Sequence, residues 1–83
     1  MILNIVVIRD AGAKVYSVPQ FVASVGGFVR AFGDQIKAGA KDDQLAAHPE
    51  DFEAFHVGTY DDNTRRFEFF DTDVSICRGV DYK

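Results

Sequence analysis

The chain has 83 residues, 13 acidic and 9 basic side chains, a net charge of −4 and one cysteine, Cys77. That length makes a single domain of residues 1–83 with a small core, and a lone cysteine excludes an internal disulfide. The acidic balance argues against a strong nonspecific nucleic-acid binder, unless the cations gather on one face.

Ile2 to Ile8 is almost continuously aliphatic, and its β-branched residues favour a strand. Leu3, Ile5 and Val7 share one face, and Asn4, Val6 and Ile8 share the other. The run is too short to span a membrane, and it lacks the basic start of a signal peptide. With the unpaired cysteine, this sets the expectation of a cytosolic protein. Asp10-Ala11-Gly12 is a turn signal, and Lys14 to Ser17 has the composition to pair briefly with the first strand. Pro19 interrupts any regular ladder, so Gln20 to Ala23 reads as a crossover.

Ser24 is placed to cap a helix, with Val25, Phe28, Val29, Phe32 and Ile36 as its apolar stripe. Arg30, Asp34 and Lys37 fall on the opposite side, and Gly39 is a natural stop. Gly26, Gly27 and Gly33 weaken this helix, so it depends on docking. His48-Pro49-Glu50-Asp51 predicts a short helical turn, with proline at the first position and two acids where the helix dipole favours them. Phe55 to Tyr60 and Arg65 to Phe70 alternate around the polar tetrapeptide Asp61-Asp62-Asn63-Thr64, which is hairpin chemistry. Val74 and Ile76 have the composition of a further edge strand.

The expected fold is α+β: an antiparallel sheet of three strands, four if the tail adds one. One main helix packs on one face, and a short helical turn precedes the C-terminal hairpin. Phe28, Phe32, Phe52, Phe55, Phe67 and Phe69 are the expected core. Val6, Ile8, His56, Tyr60 and Phe70 then fall on the outer face, which is too apolar for open solvent and marks an oligomer interface, with a homodimer expected.

No catalytic, cofactor or metal site is legible. His48, His56 and Cys77 lack metal-ligand spacing, the carboxylate pairs sit in turns, and no serine has a base beside it. One surface suits nucleic acid. Arg65 and Arg66 leave the hairpin turn beside Tyr60 and Phe70, with Arg9, Lys14 and Arg30 as further cations. Single strands bind where bases stack on rings and cations meet phosphates. The competing reading is that Tyr60 and Phe70 seal a dimer while the arginines keep the turn soluble.

The run His48-Pro49-Glu50-Asp51-Phe52, followed by Phe55-His56-Val57-Gly58-Thr59-Tyr60-Asp61-Asp62 and Phe67, resembles the small non-structural protein of gokushoviruses. These are tailless icosahedral bacteriophages of the microvirus group with circular single-stranded DNA genomes. The closing Asp10, the Pro19 and Phe21 crossover and Arg30-Ala31-Phe32 agree with that pattern. Arg65 departs from it, standing where relatives carry glycine after the turn threonine, and Gly26-Gly27 and Asp42-Asp43 are not family features. The resemblance implies a non-enzymatic protein absent from the mature virion. It would act in the host cytoplasm during single-stranded genome synthesis, replication control or packaging. The implied partners are itself, single-stranded viral DNA, or a phage replication or scaffold protein; a host factor is the alternative partner if DNA is not touched.

Overall fold

The computed structural model describes residues 1–83. Its elements are β1 (Ile2–Asp10), β2 (Val15–Tyr16), β3 (Gln20–Val22), α1 (Val25–Ala38), α2 (Gln44–Ala47), β4 (Phe52–Asp61) and β5 (Arg66–Arg78). Short 3₁₀ turns cover Pro49–Asp51 and Gly79–Tyr82. The architecture is α+β, as the sequence predicts, with five strands rather than three or four.

All pairings are antiparallel. β1 and β4 are central, β5 pairs with β4 alone, and β2 and β3 share the other side of β1. The predicted crossover at Gln20 is therefore a third strand, with Phe21 opposite Ile5. Pro19 does interrupt the ladder, but Ser17 bridges the gap. Its Oγ accepts from the Ile8 amide at 2.9 Å, and its own amide donates to the Ile8 carbonyl at 2.7 Å. The Ser17 hydroxyl thus gives the Ile8 amide an acceptor where the ladder breaks.

Helix α1 starts where Ser24 caps it, the hydroxyl accepting from the Gly27 amide at 3.0 Å. It ends at Gly39, which takes the left-handed conformation. Phe32 and Ile36 are buried, while Phe28 and Val29 pack at the margin of the core. With Leu45 from α2 they meet Val6, Ala54 and Cys77 from the sheet. Full burial of an aromatic or branched aliphatic side chain contributes about 1.5–3 kcal/mol. Tyr82 closes the end of this core, its ring edge-on to Phe32 at 6.0 Å. Asp43 caps α2 through the Leu45 amide, and Pro49 opens the turn that delivers Phe52 to the core margin.

The covered face of the sheet differs from the expectation. Val6 is fully buried and Ile8 packs against the helix side, so neither is available to a partner. The reason is a change of phase. Ile5 pairs with Gly58 and Val6 with His56, leaving Val57 as an unpaired bulge. Cross-strand partners share a face, so Ala54 and His56 lie on the helix side, whereas Phe55, Gly58 and Tyr60 lie on the outer side. A second irregularity sets Val57 against Phe70, Asp71, Thr72 and Asp73 of β5, between the Gly58–Phe69 and His56–Val74 pairs. Phe67 and Phe69, expected inside, stand on the outer face at 53 % and 66 % exposure.

The hairpin closes at the Asp61–Arg66 pair, and Arg65 takes a φ of 61°, the left-handed region. A β-carbon there costs roughly 1–2 kcal/mol. Replacing Arg65 with glycine is expected to stabilise the protein by about 1 kcal/mol and raise Tm by about 4–8 °C in thermal melts. Gly58 behaves in the opposite way, because a β-carbon there would overlap the Glu68 carbonyl oxygen and sit 3.1 Å from the Phe69 Cα. Gly58→Ala should cost about 1–3 kcal/mol and lower Tm correspondingly.

Candidate nucleic-acid interface

Towards the hairpin, the outer sheet face carries a cluster of four aromatic rings from three strands. Tyr60 and Phe67 are cross-strand partners with centroids 4.6 Å apart. Phe21 meets both edge-on, at 5.7 Å from Tyr60 and 6.3 Å from Phe67. Phe69 stacks alongside Phe67 at 6.1 Å with the ring planes 9° apart. Beneath them lies Ile5, only 2 % exposed although it is outside the helix-side core cluster. The rings thus shield one aliphatic residue and still present Phe21, Phe67 and Phe69 to solvent, each about half exposed or more.

Gly58 sets the depth of this surface. Having no side chain, it lets β5 pass close and lays Phe69 against the β4 backbone. By register, the outer face between the Leu3–Tyr60–Phe67 level and the Arg9–Glu53–Arg78 level holds only uncharged residues of β1 and β4. On β5, Asp71 and Asp73 alternate with Phe69 and Ser75 and so fall on this same face.

Arg65 and Arg66 are at the hairpin tip. Arg66 lies on the same side as Asp61 and Glu68, where they line one small hollow with Ile2, Thr59 and Thr64. It therefore points to the opposite face from Tyr60. At the tip, Asp62 receives the Met1 amino group at 2.6 Å, and Asp61 accepts from the Asn63 amide at 3.0 Å. Arg9 sits at the far end of β1, its guanidinium 6.0 Å from the Tyr16 ring centroid. Arg9 and Arg78 share a hollow of about 200 Å³ with Glu50, Asp51 and Glu53, so carboxylates outnumber them. Lys14 is in the β1–β2 turn at φ 60°, and Arg30 is on the exposed side of α1. The five predicted cations thus lie in separate places and do not converge beside Tyr60 and Phe70.

Phe70 packs edge-on against His56 at 4.8 Å, away from the Tyr60 cluster. The His56 Nε2 is enclosed there without a hydrogen-bond partner. Of the predicted interface residues, only Tyr60 belongs to the outer aromatic surface. Phe21, Phe67 and Phe69 complete it and were not among the expected contacts. The alternation of Phe67 and Phe69 is visible in the sequence, but their side of the sheet depends on a bulge that the alternation does not reveal.

The chain matches the family model described as Phage ORF5 protein over residues 3–82. It belongs to the Phage ORF5 protein family. No curated protein and no solved structure matches it. Membership covers nearly the whole chain, from the first strand to the closing 3₁₀ turn, so the aromatic surface lies wholly within the family region.

No three His, Cys, Asp or Glu side chains of this family member are placed to hold a metal ion. The acidic pairs do local work: Asp10 accepts from the Gly12 and Ala13 amides, and Asp43 caps α2. Cys77 lies in the core opposite Ala54, and burial, then the charges of Asp81 and Glu53, push its thiol up to about 11. The thiolate is the reactive form. Alkylation at mildly alkaline pH should therefore run about a hundredfold slower than for an exposed thiol, as mass spectrometry of iodoacetamide-treated protein would read. The unfolded thiol loses its proton near its ordinary value of about 8.5, while the folded one holds it until about 11. The unfolded state binds fewer protons in that window, so stability should fall as pH rises through it. The decline should flatten in Cys77→Ala, measured as Tm against pH.

Proposed function

We propose that this chain is a non-enzymatic bacteriophage protein of the gokushovirus type, acting in the infected cell during single-stranded genome synthesis or packaging. It does so by holding single-stranded DNA on its open sheet face. The observation that carries the reading is the exposed array of Phe21, Tyr60, Phe67 and Phe69 on a face that no helix covers. Open antiparallel sheets with solvent-facing aromatics stack unpaired bases, and this works for any sequence because every base has a π face. Arg65 in the hairpin turn is the cation offered to a bound phosphate chain, since Arg66 points to the opposite face. A phage replication or packaging role suits such a surface, and family membership supports the phage setting.

A second reading keeps the same surface but gives it a protein partner, a phage replication or scaffold protein or a host factor. The charge distribution favours this reading: the net charge is −4, and Arg9 and Arg78 are outnumbered by adjacent carboxylates. Nuclease treatment of complexes captured from infected cells separates the two, since it releases partners only if DNA bridges them.

Fluorescence anisotropy with labelled oligonucleotides tests the first reading directly. Phe69→Ala, the least disruptive of the ring deletions, should weaken binding by about 5- to 150-fold, the range for one lost stacking contact. A single phosphate contact through Arg65 would give a log–log salt slope of about −0.7. Absence of binding to single strands even at low salt would remove this reading.

A further inference from the structure

We infer that the free edge of β5 is a self-pairing edge, on which a second copy of this chain adds its own β5 antiparallel about a two-fold axis through Phe67. The inference goes beyond DNA binding and stands without it. β5 is the one long strand with a single neighbour; the other edge is split between two short strands around Pro19. An unpaired edge is a template for another strand, and proteins usually blunt it with proline, bulges or inward charges. From Arg66 to Phe69, β5 has no proline, and its long irregularity begins only after Phe69.

Charge selects the partner and the register. Pairing about Phe67 sets Arg66 of each copy opposite Glu68 of the other, twice over, and Phe67 opposite Phe67. Opposite charges in directly facing positions are favourable, and like charges are not. Pairing about Glu68 instead opposes two glutamates. Pairing about Phe69 sets Phe67 against Asp71 and leaves Arg66 facing Thr72. Of these registers, only the first sets Arg66 opposite Glu68. Arg66 and Glu68 are both exposed and lie on the same side, as the two-fold requires. On the other side the contact joins Phe21, Tyr60, Phe67 and Phe69 of each copy into one continuous band, which removes exposed apolar surface from both. A symmetric contact in which each copy offers the same patch closes at two subunits.

Sedimentation equilibrium on four samples tests this: the native chain, Glu68→Arg, Arg66→Glu, and an equimolar mixture of the two variants, with circular dichroism to verify folding. The native chain should dimerise. Each variant alone faces like charge across the axis and should dissociate with a constant raised by about tenfold or more. Mixed, the two are complementary to each other and should re-associate one to one. Phe67→Cys places equivalent residues within disulfide range at the axis, so mild oxidation should give a covalent dimer on a non-reducing gel, with buried Cys77 as a silent background. A native monomer, a dimer indifferent to both charge reversals, or a mixture that stays apart overturns the inference. Charge indifference would point to face-to-face packing of the aromatic surfaces.

Discussion

One helix can cover only one face of the sheet, and the rest of the molecule follows from which face that is. α1 and α2 bring Phe32, Ile36 and Leu45 onto Val6, Ala54 and Cys77. Ala54 and Cys77 are small and face one another across β4 and β5, which lets the helices approach the sheet there. Only 11 of 83 residues are buried, so this single contact layer carries much of the stability. Glycines inside α1 give it little independent helicity, and its place is set by the residues it covers.

On its other face the sheet lays aromatic rings over aliphatic residues of β1, Ile5 among them. Cross-strand aromatic pairs contribute about 0.5–1.5 kcal/mol beyond area burial. The Phe21, Tyr60 and Phe67 cluster thus acts as a second, half-open core that ties β3, β4 and β5 together where no helix reaches. Stability and recognition are drawn from the same rings. That is why Phe69, which touches only Phe67 among them, separates the two roles better than its neighbours do.

Local chemistry was readable from the sequence, and facing was not. Ser24, Gly39, the Pro49 turn and the Asp61-Asp62-Asn63-Thr64 reversal all end or begin elements where their residue types predict. Each depends on a neighbour within a few positions. The side of the sheet taken by Val6, Phe67 and Phe69 depends instead on the Val57 bulge, which shifts the alternation of β4 by one residue. Nothing in the pattern Phe55-His56-Val57-Gly58-Thr59-Tyr60 announces it, because both phases place apolar residues on both faces. Phe21 escaped notice for a related reason. Pro19 forbids a continuous ladder, and the Ser17 hydroxyl that restores the pairing acts on Ile8, nine residues away in sequence. Arg65 stands out after the turn threonine, and the structure locates its physical meaning in a positive φ.

The four residues Phe70 to Asp73 that stand against Val57 divide the long ribbon in two. Below them, β4 and β5 are clamped to the helices; above them, the ribbon is held by pairing with β1, by ring contacts and by the Met1–Asp62 ion pair. Bulges of this kind bend the bulged strand and increase its twist. The distal half of the ribbon is therefore set at an angle to its base, with Phe70 resting on His56 at the bend. A molecule lying along the whole ribbon would have to follow that curvature, so the fold favours a pliant occupant over a stiff one.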